Sequence, residues 1–140
     1  MLYHIAYCDA QFAKSDSCGD LEDPAGLRFR LHDRRLTGTP DIVFPKYRAV
    51  ILVHGCFWHG HDCRLFKTPS TRTAFWTDNI LSNRQRDARV VGELISAGWR
   101  VLTVWECALK GPNRLPLPKV IERSSAFVGS TTPIELLCGN

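Results

Sequence analysis

Between Val53 and Cys63 the sequence reads Val-His-Gly-Cys-Phe-Trp-His-Gly-His-Asp-Cys, eleven residues that hold three histidines, two cysteines, an aspartate and two adjacent bulky aromatics. Cys56-x4-His61-x-Cys63, completed by the distant Cys107, offers three sulfurs and one imidazole, a set suited to a structural zinc ion. The short spacing lets one loop wrap an ion, and the fourth donor arrives from a neighbouring strand end, so zinc there would cross-link two loops. Taken singly, a free cysteine is most commonly a small buried apolar residue. Four donors converging on two strand ends favour the metal, although the split spacing is less specific than a paired C-x2-C motif.

That assignment leaves His54 and His59 free. A histidine ending a buried strand is more often a hydrogen-bonded core residue than a catalyst, and chemistry requires a carboxylate and a metal close by. Asp41 is the candidate carboxylate. An aspartate after proline also serves simply as a turn former or a cap-like acceptor.

Strands must position these groups. Leu27 to Leu31 alternates apolar and cationic residues and reads as a half-buried strand, whose arginine face could meet phosphates or be a solvated edge. Gly38 and Pro40 punctuate a turn before the apolar Ile42-Val43-Phe44. Pro45-Lys46-Tyr47 reverses the chain into Ala49 to Val53, a continuous apolar run expected to be covered on both faces. The pair is hairpin-like, which brings the Asp41 and His54 ends together. Arg64 to Arg72 is irregular, and Thr73 to Ala97 is predicted as one long helix, with Ile80, Val90, Val91, Leu94 and Ile95 inward and Arg84, Arg86, Asp87 and Arg89 outward. Gly98 stops it. Trp99 to Trp105 is another strand, ending at Glu106-Cys107, so the helix is a crossover within a mixed sheet. A short helix over Lys119 to Phe127, with Pro118 at its first position, and an apolar tail over Ile134 to Cys138 complete the prediction. Met1 to Ala25 shows no sustained period, beyond a short helix expected around Ala10 to Lys14.

At 140 residues this is most simply one domain. The formal charge of +4 permits a polyanionic partner without demanding one. Six cysteines could make three disulfides in a secreted chain. Met1 to Phe12 lacks the basic start and apolar core of a signal peptide, so the thiols are expected to be reduced and intracellular. No apolar run approaches membrane-spanning length.

Several longer stretches carry a resemblance. Gly-Thr-Pro-Asp41 followed by a strand, a turn and a strand ending in His54-Gly-Cys-Phe-Trp-His59 closely resembles the very-short-patch (Vsr) mismatch repair endonucleases. The likeness continues through Thr71 to Trp76, Asn83 to Asp87 and Gly98 to Cys107, and covers roughly Gly26 to Phe127. It implies a restriction-endonuclease-like α/β fold, a central mixed sheet flanked by helices with a structural zinc site, spanning residues 26–140 behind a divergent segment 1–25. The implied activity is nicking of the thymine-containing strand at T:G mismatches left by deamination of 5-methylcytosine. By the same resemblance Asp41 binds catalytic magnesium with the main-chain carbonyl of Val53, His59 is the general base, His54 hydrogen-bonds metal-bound water or phosphate, and Cys56, His61, Cys63 and Cys107 hold zinc. Phe57, Trp58 and Trp76 match aromatics that enter the duplex beside the mismatch. Core packing is the competing reading, though the adjacent Phe57 and Trp58 cannot easily face one core. Arg64, Lys67, Arg72, Arg84 and Arg86 are candidate phosphate contacts, and each is equally explained as a solvated face.

The expected setting is a bacterial cytoplasmic, nucleoid-associated monomer on double-stranded DNA, with mismatch-repair and DNA polymerase partners implied by the resemblance and no membrane. The chain departs from the family's pattern at Val53, where threonine is usual, and at Thr39, where a cation is common. Its amino-terminal region also differs: the position of the family's metal-binding glutamate falls near Ser15, beside Asp16. Loss of that ligand would leave a protein that binds mismatched DNA without cutting it.

Overall fold

The computed structural model describes residues 21–22, 28–63 and 66–139. The expected helix near Ala10, the Ser15 and Asp16 positions and Arg64 lie outside them, as does the proposed boundary at residue 25. Six strands run in chain order across one sheet: β1 (Leu21–Glu22), β2 (Arg28–Leu31), β3 (Ile42–Phe44), β4 (Ala49–His54), β5 (Arg100–Trp105) and β6 (Ile134–Leu137). The two-residue β1 only extends the edge of a five-stranded mixed sheet. β1 through β4 pair antiparallel, whereas β4, β5 and β6 are parallel.

Parallel strands need a long crossover, and α1 (Thr73–Ser96) supplies it between β4 and β5. Val50 and Leu52 of β4 and Val101 of β5 pack with Leu94, Val90, Val91 and Ile95 of α1 on one face of the sheet. Ala49 and Ile51 point the other way and join Leu102, Val104, Val120, Phe127 and Val128 under α3 (Leu117–Val128). Apolar side chains on successive residues of β4 are thus required by cover on both faces, as the unbroken run predicts. Both helix ends are tied to the sheet by arginine. Arg48 donates to the carbonyls of Ala97 and Gly98 at the end of α1, and Arg100 to those of Phe127 and Val128 at the end of α3. Cations at carbonyl-rich helix ends are favourable for charge as well as hydrogen bonding.

Three boundaries differ from expectation. Cys107 lies not at a strand end but in a single helical turn, α2 (Glu106–Leu109), directly after β5. The helix expected from Lys119 begins at Leu117, because Pro118 is tolerated anywhere in the first turn, where its missing N–H costs no bond. The apolar tail is strand β6, which uses the free edge of β5.

Candidate active site and metal centre

Two parallel strands end side by side where His54 of β4 faces Trp105 of β5. Crevices beyond the carboxyl ends of parallel strands are the usual place for ligands in α/β sheets, and here the loop Gly55 to Cys63 and the turn α2 both leave from that end. The loop is fastened at several points. Cys56 donates its N–H to Oε2 of Glu106 at 3.0 Å, and a hydrogen bond from Lys110 holds the Glu106 carboxyl below its ordinary range, ready to accept. Nδ2 of Asn83 reaches from α1 to the Trp58 carbonyl at 2.8 Å. Gly60 has φ +63, and a Cβ there would lie 2.5 Å from Ile80 Cγ2, so the loop can lie this close to α1 only with glycine at that position.

One cluster is sulfur-rich. The ligand atoms of Cys56, His61, Cys63 and Cys107 lie within 4.8 Å of one another. Nδ1 of His61 is 3.6 Å from the sulfurs of both Cys56 and Cys107. A tetrahedral ion with bonds of about 2.3 Å to sulfur and about 2.0 Å to nitrogen sets those atoms about 3.6 Å apart, so the spacing fits a metal. The electrostatics agree. Burial, reinforced by the neighbouring thiols, pushes the Cys56 thiol up to about 12, so a cation is what would make several thiolates tolerable here. Trp105 stacks on His61 at 4.2 Å with an 11° angle between rings, fixing the plane in which Nδ1 points.

The second cluster is built of imidazoles and carboxylates. His54 and His59 stack at 4.0 Å and 5°, and His59 Nδ1 is hydrogen-bonded to Oδ2 of Asp87 on α1. With Nδ1–H committed to the carboxylate, Nε2 of a neutral His59 is left as a base. Burial first, and then the neighbouring His59, push His54 down to about 4, so the stacked pair is not two like charges near neutral pH. Asp41 stands at the adjoining strand end, where its Oδ2 accepts the N–H of Val53 at 2.7 Å, one residue before His54. The structure therefore gathers the sequence-predicted Asp41, Val53, His54 and His59 at one end of the sheet. Both clusters lean on Trp105: the rings of His54 and His59 meet it edge-on, at 5.3 and 6.3 Å, beside the stacked His61.

Next to the imidazoles the same loop presents its aromatics. Phe57, Trp58 and Trp76 form a triangle with centroid separations of 5.2, 5.6 and 5.9 Å. Trp58 is 55% exposed, whereas Phe57 and Trp76 are half-buried behind it. The expectation that one of the adjacent pair faces solvent holds, and Trp76 is not a core residue but a wall of this cluster. Lys67, Arg72, Arg84 and Arg86 are all exposed. Arg72 lies over the Phe75 ring at 5.2 Å, and Arg86 donates to Asn83 Oδ1 at 3.1 Å.

Asp87 corrects the sequence reading, which put it on the outer face of the helix. It points inward because Ile80, Asn83, Asp87, Val90 and Leu94 recur at three- and four-residue intervals, and an acid on that stripe was the legible signal. His32 escaped notice altogether. It sits at φ +48, takes the Asp41 carbonyl with its N–H, and holds Nδ1 3.7 Å from Asp41 Oδ1. No pattern in the sequence marks it.

A family model described as DNA mismatch endonuclease Vsr matches residues 23–65. The DNA mismatch endonuclease Vsr of Escherichia coli is 50% identical over 103 residues, which are 74% of this chain and 66% of that protein. Type II nicking enzyme V.XorIIP of Xanthomonas oryzae pv. oryzae is 55% identical over 84 residues, 60% of this chain and 62% of the relative. Type II nicking enzyme V.HpaIIP of Haemophilus parainfluenzae is 39% identical over 94 residues, 66% of this chain and 67% of the relative. The chain thus spans slightly under two thirds of the first two relatives and just over two thirds of the third. With matches of this extent running through the loop that carries both donor clusters, the chain belongs to the Vsr family of mismatch endonucleases.

Proposed function

We propose that this protein is a magnesium-dependent DNA endonuclease that nicks the thymine-containing strand at T:G mismatches arising from deaminated 5-methylcytosine. The observation that carries the reading is the hydrogen-bonded His59 and Asp87 pair, next to an exposed tryptophan and at the end of the sheet where Asp41 accepts the Val53 N–H. Magnesium prefers oxygen ligands, and when bound by Asp41 and the Val53 carbonyl it would supply Lewis-acid stabilisation of the phosphate. His59 Nε2 takes a proton from the attacking water, and Asp87 both orients the ring and offsets the charge that develops on it. His54, kept neutral by burial, is available to hydrogen-bond the phosphate. Trp58, backed by Phe57 and Trp76, is placed to unstack the mismatched step, at a cost of about a few kcal/mol that a wobble pair makes easier to meet.

The ion in the sulfur-rich cluster is read as zinc, because three thiolates and an imidazole suit that metal and leave no open position for substrate. The architecture is read as restriction-endonuclease-like, working as a single domain over residues 26–140. The expected setting is the bacterial cytoplasm, and no described helix is long and apolar enough to cross a membrane. Incubation of the purified protein with T:G and fully paired duplexes, with magnesium or with chelator, tests the activity: mismatch-dependent, magnesium-dependent nicking of the thymine strand supports it. The Ser15 and Asp16 departure favours a second reading, a binder that has lost a metal ligand. Tight T:G binding without nicking is its signature.

A further inference from the structure

Cys138 lies at the end of β6 and carries no role in the chemistry above, yet it completes the surroundings of His61. Nδ1 of His61 is turned to the sulfurs of Cys56 and Cys107, and its ligation to a metal there would leave the proton of the neutral imidazole on Nε2, which points away from them. Nε2 meets the sulfur of Cys138 at 3.5 Å. The next residue turns back on the same cluster, as the N–H of Gly139 reaches the Cys107 sulfur at 3.3 Å. This approach demands glycine: a Cβ at 139 would stand 2.3 Å from the Cys107 carbonyl oxygen and 2.7 Å from that of Asn113. Two successive residues of one strand end therefore each contact a different member of the four-donor set, one as acceptor and one as donor.

We propose that Cys138 and Gly139 form the outer shell of the metal centre, Cys138 accepting the His61 Nε2–H to fix the ligating tautomer and Gly139 N–H stabilising the Cys107 thiolate. The inference rests on the zinc reading of the cluster. Ligating histidines generally need a partner for the second ring nitrogen, and a thiol fills the place that a carboxylate or carbonyl more often takes. Cys138 is a positioning residue and not a fifth ligand, because it meets the nitrogen that faces away from the sulfurs. A consequence for the fold is that metal binding and docking of β6 on β5 support each other across the sheet edge.

The test uses the full chain as wild type, Cys138→Ala, Cys138→Ser and Gly139→Ala, with zinc affinity read by competition against a chromophoric chelator and cobalt(II) spectra read for thiolate-to-metal charge transfer. Cys138→Ala is expected to weaken zinc binding about 10–100-fold, with the charge-transfer intensity per bound cobalt unchanged. Cys138→Ser, whose hydroxyl can still accept the Nε2–H, is expected to recover most of that loss, which a purely packing role would not allow. Gly139→Ala is expected to weaken binding as well. Affinity equal to wild type in Cys138→Ala, or serine no better than alanine, overturns the inference. So does a charge-transfer loss of about one thiolate in four, which would make Cys138 a ligand. A wild-type chain that binds neither metal overturns the zinc reading itself, and with it this proposal, so the two failures are told apart by the protein in which they occur.

Discussion

Trp105 is flanked by histidines of two different donor sets, each of which draws in part on the loop Gly55 to Cys63. The sulfurs of Cys56, Cys63 and Cys107 are soft donors that lie with His61 at the spacing of a tetrahedral site, with Cys56 and Cys107 buried and His61 and Cys63 partly covered. The other set, His54, His59 and Asp87, has no sulfur and is only partly covered, and Asp41 stands at the adjoining strand end, bonded to Val53. Under the proposed assignment, one short stretch would serve two metals without confusing them. Softness of the donor selects the ion, and openness decides whether substrate can reach it. On this proposal the closed site would give the loop rigidity and the open one would use it. A base has to be held to within a fraction of an ångström of its water, and a nine-residue loop with glycines at 55 and 60 would not do so unaided.

If that division is right, substitutions on the two sides should fail in different ways. Asp41→Ala should abolish nicking and leave zinc content untouched, as measured by a nicking assay alongside elemental analysis. His59→Ala should lower the single-turnover nicking rate by about 10²–10⁴-fold while mismatch binding stays near wild type. Retained cleavage would point to another base. Asp87→Asn should cost about 10²-fold, because an amide can leave the imidazole in the wrong tautomer, with neither zinc nor DNA affinity altered. On the other side, Cys107→Ala should lower zinc stoichiometry and thermal stability together, and an unchanged zinc content would remove Cys107 from the ligand set. The smallest effect is expected at the aromatics. Trp58→Ala should weaken T:G binding by about 1–3 kcal/mol of lost stacking and leave binding to paired DNA nearly unchanged, in a titration at fixed salt.

How far the sequence disclosed this arrangement also differs between the two sides. The sulfur site was legible because its donors are rare residue types, crowded within eight positions and completed by one cysteine after a strand. The strands were legible too, since the unbroken apolar run at 49–53 leaves no polar face and must be covered on both sides. Asp87 was legible only through its place on the Ile80 to Leu94 stripe, because acids on helices are ordinarily solvated. His32 depends on a left-handed backbone turn that returns it to Asp41, a geometry that no local pattern encodes. Cys138 looked like the end of an apolar tail because strand pairing with β5, and not its own neighbours, carries it to His61.

The division of labour can be tested directly by dialysing the protein against a chelator of moderate strength, measuring retained zinc, and then restoring magnesium alone. One equivalent of zinc should persist throughout, and nicking of the T:G duplex should vanish with the chelator and return in full on adding magnesium. Recovery that requires zinc, or nicking that survives without magnesium, would contradict the assignment of structure to the sulfurs and catalysis to the carboxylates and imidazoles.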